Sequence, residues 1–202
     1  MKTVKWTIKD VILTALIGII FGALYLGFGF LWETFIKIIG PLAGFIANKN
    51  LSGALTGAAI AGKVTTAATT GLWMMAGPLA ALVIKKPGAA LFGELLASFV
   101  EMTLGSHWGV DNVIWGVVQG VASELGFALT GYRNYKIGLM LSIVTGSIIS
   151  FGFNYLKYSY DTLNTVFVTT LFAIFFLSVL FFSGILVWLI NKLLISSKIL
   201  RK

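Results

Sequence analysis

Three glutamates lie inside apolar, glycine-rich stretches of the chain: Glu94, Glu101 and Glu124. An ionised side chain at the centre of a bilayer costs roughly 2.5–3.5 kcal/mol, so such carboxylates occur mainly where they face a protein interior and find a partner. Glu94 and Glu101 are seven residues apart, which on a helix places them on one face, about 10 Å apart along the axis. No basic residue is assigned to their depth, so the pattern predicts a site for a cationic or amine-bearing ligand. The alternative is that protonated glutamic acids hold neighbouring helices together.

The next apolar stretch adds two candidate ligand contacts, Trp115 and Gln119. They are four residues apart and therefore share a helix face. Gln119 offers amide donors and acceptors, and Trp115 offers a stacking surface. Glu124 lies five residues beyond Gln119, about 140° around the helix. It is a candidate for the same site, although its side chain need not face the same cavity.

Further candidates are aromatic and amide side chains near the predicted outer ends of the helices. Trp73 and Trp108 could contact a ligand, and so could Asn154, because an amide inside a membrane must find a hydrogen-bonding partner. A single aromatic residue at this depth, such as Tyr25, more often belongs to the interfacial belt or to the core. His107, the single histidine of the chain, is predicted to be a solvated loop residue.

The sequence contains no catalytic motif, and we predict that the chain is not an enzyme. Residues 57–63, GAAIAGK, match the start of a phosphate-binding loop, but Val64 replaces the required Ser or Thr and no strand precedes the motif. The absence of cysteine excludes thiolate catalysis and cysteine metal sites. We therefore expect no ATP site and no cofactor in this chain.

The composition is typical of an integral membrane protein. Of the 202 residues, 58% are hydrophobic and 11% are charged, and the mean hydropathy is +0.95, whereas a soluble domain carries about 25% charged residues. Six apolar stretches have roughly the length needed to cross about 30 Å of hydrocarbon. We predict an all-α bundle of six transmembrane helices that forms one domain, residues 1–202. The predicted spans are residues 11–31, 69–84, 88–104, 113–130, 137–156 and 162–190.

The basic residues determine the predicted orientation. A net charge of +8 could indicate nucleic acid, but in a membrane protein it reflects basic cytoplasmic loops, so no nucleic acid is expected. With the amino terminus inside, eleven of the fifteen Lys and Arg residues lie on the cytoplasmic side. The others are Lys37, Lys49, Lys63 and Lys157. The positive-inside rule therefore predicts that both termini are cytoplasmic.

Residues 33–68 do not fit a simple span, because small apolar residues are interrupted by Asn48, Lys49, Asn50 and Lys63. In the predicted topology this segment begins and ends outside. It could be a re-entrant hairpin, a surface helix or a long external loop, since non-helical backbone at membrane depth needs cover from protein or a cavity. We favour an external, lid-like segment.

Ala15, Gly18 and Gly22 form a stripe of small residues on the first span, at positions i, i+3 and i+7. Such a stripe allows a second helix to approach closely. That helix is either internal to this chain or belongs to a separate subunit. The stripe is therefore a candidate docking face for a partner.

Residues 69–109, TTGLWMMAGPLAALVIKKPGAALFGELLASFVEMTLGSHWG, and residues 115–129, WGVVQGVASELGFAL, resemble the YkoE-type substrate-binding (S) components of energy-coupling factor (ECF) transporters. The resemblance covers about residues 69–135 and combines a basic pair, PGAA, two glutamates seven apart, VQG and a further glutamate. It implies a six-helix protein of the bacterial plasma membrane that captures thiamin or its hydroxymethylpyrimidine precursor from outside. It also implies partners: a transmembrane coupling subunit and two cytoplasmic ATPases, which use the ATP.

Two other functions are compatible with the sequence. One is a self-sufficient secondary carrier in which Glu94 or Glu124 relays protons, although no inverted repeat relates the two halves of the chain. The other is a scaffolding membrane protein whose glutamates only hold helices together. Uptake that persists without any ATPase partner would favour the carrier, and the lack of any bound small molecule would favour the scaffold.

Overall fold

A computed structural model describes residues 5–50 and 57–197, apart from the side chains of residues 47–50. In this part of the chain the regular structure is helical, which confirms the predicted all-α class. The α-helices are α1 Ile8–Phe30, α2 Trp32–Asn50, α3 Gly57–Thr69, α4 Ala76–Ile84, α5 Ala89–Thr103, α6 Asp111–Ala128, α7 Tyr135–Lys157, α8 Thr165–Val179 and α9 Val187–Ser196.

Four helical segments are long and apolar enough to cross a membrane: Ile8–Phe30, Gly57–Ile84, Tyr135–Lys157 and Thr165–Ser196. The two longest contain irregular turns, a 3-10 turn between α3 and α4 and a π-helical turn, Leu180–Leu186, between α8 and α9. Helices α5 and α6, which carry the embedded glutamates, pack beside these segments. Together with α2, the described residues form seven helical stretches.

The helix that contains the second predicted span begins at Gly57, not near residue 69 as expected. Its exposed first residues are followed by buried small and β-branched residues, among them Ile60, Ala61 and Val64, and Val64 is fully inaccessible to solvent. The ammonium group of Lys63, which interrupts the apolar pattern, lies 4.5 Å from the centre of the Tyr160 ring, a distance at which cation and ring attract. Residues 57–68 are therefore part of a packed helix. The placement of residues 33–68 relative to the membrane stays a prediction.

The 3-10 turn Thr70–Met74 is fixed by side chains from the π-helical segment and its neighbour. Ser178 Oγ accepts a hydrogen bond from the Gly71 nitrogen at 3.0 Å, and Ser183 Oγ donates to the carbonyl oxygens of Gly71 and Met74, each at 3.0 Å. A Cβ at position 71 would overlap the Ser178 backbone, so only glycine fits. This break leaves the first backbone N–H groups of α4 available to other acceptors.

Gly18 and Gly22 of the small-residue stripe on α1 pack inside the molecule against α5, which is the internal one of the two alternatives and corrects the interpretation of these two glycines as a partner-docking face. A Cβ added at Gly18 would lie 2.6 Å from Leu96 Cβ, and one added at Gly22 would lie 2.7 Å from the Ala97 carbonyl oxygen. Both glycines are buried, whereas Ala15 is partly exposed. The two helix backbones approach closely because neither glycine has a side chain, and this contact fixes α5 against α1.

Two further contacts hold the amino-terminal end of α1 to the turn between α4 and α5. Asp10 forms an ion pair with Lys86 at 2.5 Å, and Trp6 Nε1 donates to the Pro87 carbonyl oxygen at 3.1 Å. Asp10 also completes a capping box with Thr7 at the start of α1, which pairs two otherwise free backbone donors. The ends of α1 and α5 are therefore joined on the side opposite the cavity described next.

Candidate ligand-binding cavity

A cavity of about 150 Å³ lies among α1, α3, α5, α6 and α7. It brings together seven of the eight side chains that the sequence predicts for a ligand site. These are Trp73, Glu94, Glu101, Trp108, Trp115, Gln119 and Asn154. Among the described residues that line the cavity, none is a lysine, an arginine or a histidine. The cavity is therefore lined by aromatic rings, amides, hydroxyls and carboxylates.

Glu94 is 1% exposed, and both of its carboxylate oxygens accept hydrogen bonds. The Tyr25 hydroxyl donates to one oxygen at 2.9 Å, and the Gly77 nitrogen donates to the other at 2.7 Å. The Tyr25 oxygen in turn accepts from the nitrogens of Met75 and Ala76, at 3.1 and 3.0 Å. Glu94 and Tyr25 together thus pair three backbone donors at the start of α4.

Glu101 is buried to a similar extent, at 2% exposure, but its hydrogen bonds are weaker. Ser106 Oγ donates to its carboxylate over 3.4 Å, near the limit for a hydrogen bond. The side chains of Trp73 and Asn112 also lie near this carboxylate. Asn112 Nδ2 nevertheless donates to no acceptor in the part of the chain that the structure describes, because a hydrogen bond requires alignment as well as proximity.

Three tryptophans form one wall of the cavity. Trp73 and Trp108 meet edge to face with ring centres 5.9 Å apart, and Trp32 lies 5.9 Å from Trp108 and 6.3 Å from Trp73. They come from the 3-10 turn, the connection between α5 and α6, and the start of α2. Trp115 contributes a fourth indole and packs against Phe153 at 4.8 Å. Such rings offer flat apolar faces and a negative quadrupole to a bound molecule.

An ion pair between Asp111 and Lys157 lies at the edge of the cavity, with 2.7 Å between the charged atoms. Asp111 and the exposed residue Tyr158 line the cavity at this end. The Lys157 ammonium also lies 5.8 Å from the Trp115 ring and 5.7 Å from the Tyr158 ring. This end is the more open one, since the Asp111 side chain is 47% exposed.

Two buried amide groups at the cavity have unpaired atoms. Asn154 is 2% exposed and donates to the Ser150 carbonyl oxygen at 3.2 Å, but its Oδ1 has no partner among the described residues. Asn112, at 7% exposure, has an unpaired Nδ2. A buried polar atom without a partner is unfavourable by about 1–3 kcal/mol. The two amides are therefore suited to a polar ligand or to water.

Glu124, the eighth predicted site residue, lies away from the cavity. Its carboxylate accepts hydrogen bonds from the nitrogens of Gly88, Ala90 and Leu91 at 2.6, 2.9 and 3.3 Å, and from the Tyr132 hydroxyl at 2.7 Å. It pairs the free donors at the start of α5, where a negative charge also meets the positive end of the helix dipole. The offset of about 140° from Gln119 turns it toward α5.

The structure adds several lining residues that the sequence reasoning missed. Tyr25 is predicted only as a belt or core residue, and Trp32 immediately precedes the segment interpreted as external. Three threonines of α3 and the following turn also line the cavity; they are Thr66, Thr69 and Thr70. Their spacing of i, i+3 and i+4 is typical of one helix face. This signal is visible in the sequence once the helix is extended to Gly57.

Comparisons with known proteins support a role in transport. The family described as "ABC-type cobalt transport system, permease component" matches residues 9–149. The "Putative HMP/thiamine permease protein YkoE" of Bacillus subtilis (strain 168) is 30% identical over 148 residues, which cover 73% of this chain and 63% of that protein. This chain therefore aligns with less than two thirds of that relative.

A solved structure, described as "Crystal structure of an S-component of ECF transporter", is similar with a TM-score of 0.76 and 24% sequence identity, and the match covers 97% of this chain and 89% of that one. The fold is thus that of an ECF transporter S-component. The family that matches residues 9–149 comprises transport proteins and not enzymes. The chain belongs to the family of permease components described for ABC-type cobalt transport systems.

Proposed function

We propose that this chain is the membrane-embedded substrate-capture subunit of an ECF-type importer and that it binds thiamin or hydroxymethylpyrimidine in the cavity. The observation that carries the proposal is the composition of the lining. Buried carboxylates and four tryptophans surround a space to which the described residues contribute no basic side chain. Such a lining favours an aromatic molecule that carries a positive charge or an amine.

Thiamin has these properties, since it joins a positively charged thiazolium ring to an aminopyrimidine. In a site of low dielectric constant a carboxylate attracts a cation far more strongly than in water, although desolvation offsets part of the gain. The tryptophan rings could stack on either heterocycle, and Gln119 and the two asparagines could bind the pyrimidine amine and ring nitrogens. Hydroxymethylpyrimidine has the pyrimidine amine and ring nitrogens but lacks the positively charged ring.

A cobalt ion is the second candidate, because the family description names it. Cobalt and its neighbours in the transition series prefer sites that include imidazole or thiolate ligands. Within the described residues, no three His, Cys, Asp or Glu side chains come close enough to hold a metal ion. The aromatic wall also has no role in binding a bare ion. The lining therefore favours the organic cation.

The proposal includes six membrane spans with both termini in the cytoplasm. Adding α5 and α6 to the four long apolar segments gives six. The turns at Lys85-Lys86 and at Arg133–Lys136 lie at one end of the bundle, and basic turns are typical of the cytoplasmic side. Asp111 and Tyr158, at the open end of the cavity, lie at the opposite ends of α6 and α7. The cavity then opens to the outside of the plasma membrane, and α2 would cover it as part of an external lid.

The remaining partners in this proposal are a transmembrane coupling subunit and two cytoplasmic ATPases. Capture by this chain would be followed by release driven by ATP hydrolysis in those subunits. A proton-coupled carrier would need no such partners, and a scaffolding protein would bind no vitamin. Uptake of labelled thiamin in cells with and without the ATPases therefore separates the first alternative from the proposed importer.

The direct test is calorimetric titration of the detergent-purified protein with four compounds: thiamin, hydroxymethylpyrimidine, a neutral-ring analogue of thiamin and Co²⁺. We expect thiamin to bind most tightly, hydroxymethylpyrimidine more weakly and Co²⁺ not measurably. Quenching of tryptophan fluorescence should accompany binding, because indoles line the cavity. Mass spectrometry of small molecules released on denaturation provides an independent check. If Co²⁺ binds and the organic compounds do not, the proposed substrate class is wrong.

A further inference from the structure

The carboxylates that line the cavity differ in how their charges are balanced. Glu94 and Glu101 are both deeply buried and lie two turns apart on the same face of α5. Asp111 lines the open end and is paired with Lys157. A cationic ligand can gain full electrostatic attraction only from a carboxylate that is not already neutralised.

Glu94 is balanced by the helix that it contacts. The 3-10 turn ends at Met74, and α4 runs for nine residues from Ala76. The first backbone nitrogens of a helix carry unpaired N–H groups and a partial positive charge. Gly77 donates one of these N–H groups to Glu94 at 2.7 Å, and the Tyr25 hydroxyl links two more to the same carboxylate. Glu94 therefore acts as a cap for α4, supplied from a neighbouring helix.

In the described part of the chain, no comparable groups balance the charge of the Glu101 carboxylate. The side chains that lie near this carboxylate, those of Ser106, Trp73 and Asn112, are neutral, and the hydrogen bond from Ser106 is long, at 3.4 Å. The described residues place no ion-pair partner on it, whereas Asp111 has Lys157. Two of the tryptophans that form the wall, Trp73 and Trp108, line the cavity together with Glu101.

We propose that Glu101 is the residue that makes the cavity select a cation over a neutral molecule of the same shape. Glu94 is a positioning residue, which holds the break before α4 and with it the 3-10 turn that carries Trp73. This assignment rests on the proposed function, because it requires a ligand that carries a positive ring. Their shared helix face suggests that Glu94 and Glu101 have one role in common. The proposal instead gives ligand selection to Glu101 and a structural role to Glu94.

The test compares the affinities for thiamin and for its neutral-ring analogue in matched variants. In the wild-type protein we expect thiamin to bind more tightly. In Glu101→Gln, thiamin affinity should fall roughly 10- to 100-fold, the range for one charged hydrogen bond, while the analogue changes little. Glu94→Gln should weaken both compounds by the same factor and lower the melting temperature. Asp161→Asn removes an exposed carboxylate that does not line the cavity and should change neither affinity.

A second pair of variants guards against a folding defect in Glu101→Gln. Glu101→Asp and Glu101→Asn are equal in size and differ only in charge, so the preference for thiamin should persist in the first and disappear in the second. An unchanged preference in Glu101→Gln, or its loss in Glu94→Gln alone, would overturn the assignment while leaving the proposed function intact. If the wild-type protein binds neither compound, the proposed function is wrong and the assignment fails with it.

Discussion

The carboxylate of Glu124 on α6 accepts a hydrogen bond at 2.6 Å from the backbone nitrogen of Gly88, the residue that precedes α5. Glu94 on α5 makes the equivalent contact at the start of α4, with the nitrogen of Gly77. Helix α6 thus caps α5, and α5 caps α4. In a membrane, where water is not available to pair free N–H groups, this succession satisfies two buried helix starts with side chains from neighbouring helices.

Replacing Glu124 should reduce stability and leave the cavity chemistry unchanged. Glu124→Ala removes the acceptor for Gly88, Ala90 and the Tyr132 hydroxyl, and leaving such donors unpaired costs about 1–3 kcal/mol. We expect a lower melting temperature in detergent. Once the variant is folded, its ratio of thiamin to analogue affinity should equal that of the wild type.

The matched control is Glu33→Ala, because Glu33 is exposed and its truncation should not change the melting temperature. A Glu124 variant that melts like the wild type but no longer binds thiamin would show that this side chain does contact the ligand, contrary to the structure.

The small-residue contact between α1 and α5 gives a second prediction. Gly22→Leu and Gly18→Leu place a side chain where even a Cβ would lie within 2.7 Å of α5 atoms. We expect overpacking to cost about 1–3 kcal/mol or more and to weaken ligand binding, because α5 carries Glu94 and Glu101. The measurements are melting temperature and thiamin affinity of the isolated protein.

Gly27→Leu is the control for this pair, since a Cβ at Gly27 on the same helix meets no atom within 4 Å. It should fold and bind normally. If Gly18→Leu and Gly22→Leu bind thiamin normally and only fail to assemble with a coupling subunit, the stripe serves docking and the internal contact is unimportant.

Part of the site could be predicted from the sequence because it depends on helix geometry alone. The seven-residue spacing of Glu94 and Glu101 places both on one face in any straight helix, and the structure puts both in the cavity. Gln119 and Trp115 follow from the same reasoning. For these residues the helical repeat determines the direction of the side chain, and the tertiary structure places each of them in the direction that the repeat predicts.

The remainder depends on contacts between distant parts of the chain. The role of Glu124 requires knowing that α5 starts beside it, and Gly18 could have faced a partner as well as α5. The break at Thr70–Met74 is stabilised by Ser183, more than a hundred residues away in sequence. Tyr25 reaches the cavity because that break frees donors for its hydroxyl. No local pattern contains this information.

Asn154 should show a trade-off between stability and binding. Its Oδ1 is buried and has no partner within the described chain, so Asn154→Leu, which is similar in size and apolar, should leave the empty protein as stable or more stable. The same change should weaken thiamin binding about tenfold if the ligand uses this amide. The check is to measure melting temperature without ligand and affinity by titration. A variant that loses stability and keeps its affinity would contradict both expectations.

Tyr132 should make stability depend on pH at the alkaline end. Burial, and then its hydrogen bond to Glu124, raises the pKa of this phenol above the ordinary value of 10.0. A raised pKa means that the stabilisation is complete below about pH 10 and is lost as the pH rises further. The melting temperature of wild type minus that of Tyr132→Phe should therefore be constant at neutral pH and shrink above about pH 10. A difference that stays constant to higher pH would show that the hydroxyl does not form this bond.

The ion pair at the open end of the cavity leads to a prediction of tighter, not weaker, ligand binding. Lys157 neutralises Asp111 over 2.7 Å, so Asp111→Asn should alter thiamin affinity much less than Glu101→Gln. Lys157→Met leaves the Asp111 carboxylate unpaired and removes a positive charge from the path of a cation. Thiamin should then bind several-fold more tightly at low salt, and the gain should shrink at high salt because ions screen partly exposed charges. Lys136→Met, which removes an exposed lysine at the other end of α7, is the control and should have no effect. Calorimetric titration at two salt concentrations measures the gain in affinity and its dependence on salt. Weaker binding in Lys157→Met would mean that this lysine orders the entrance and does not repel the ligand.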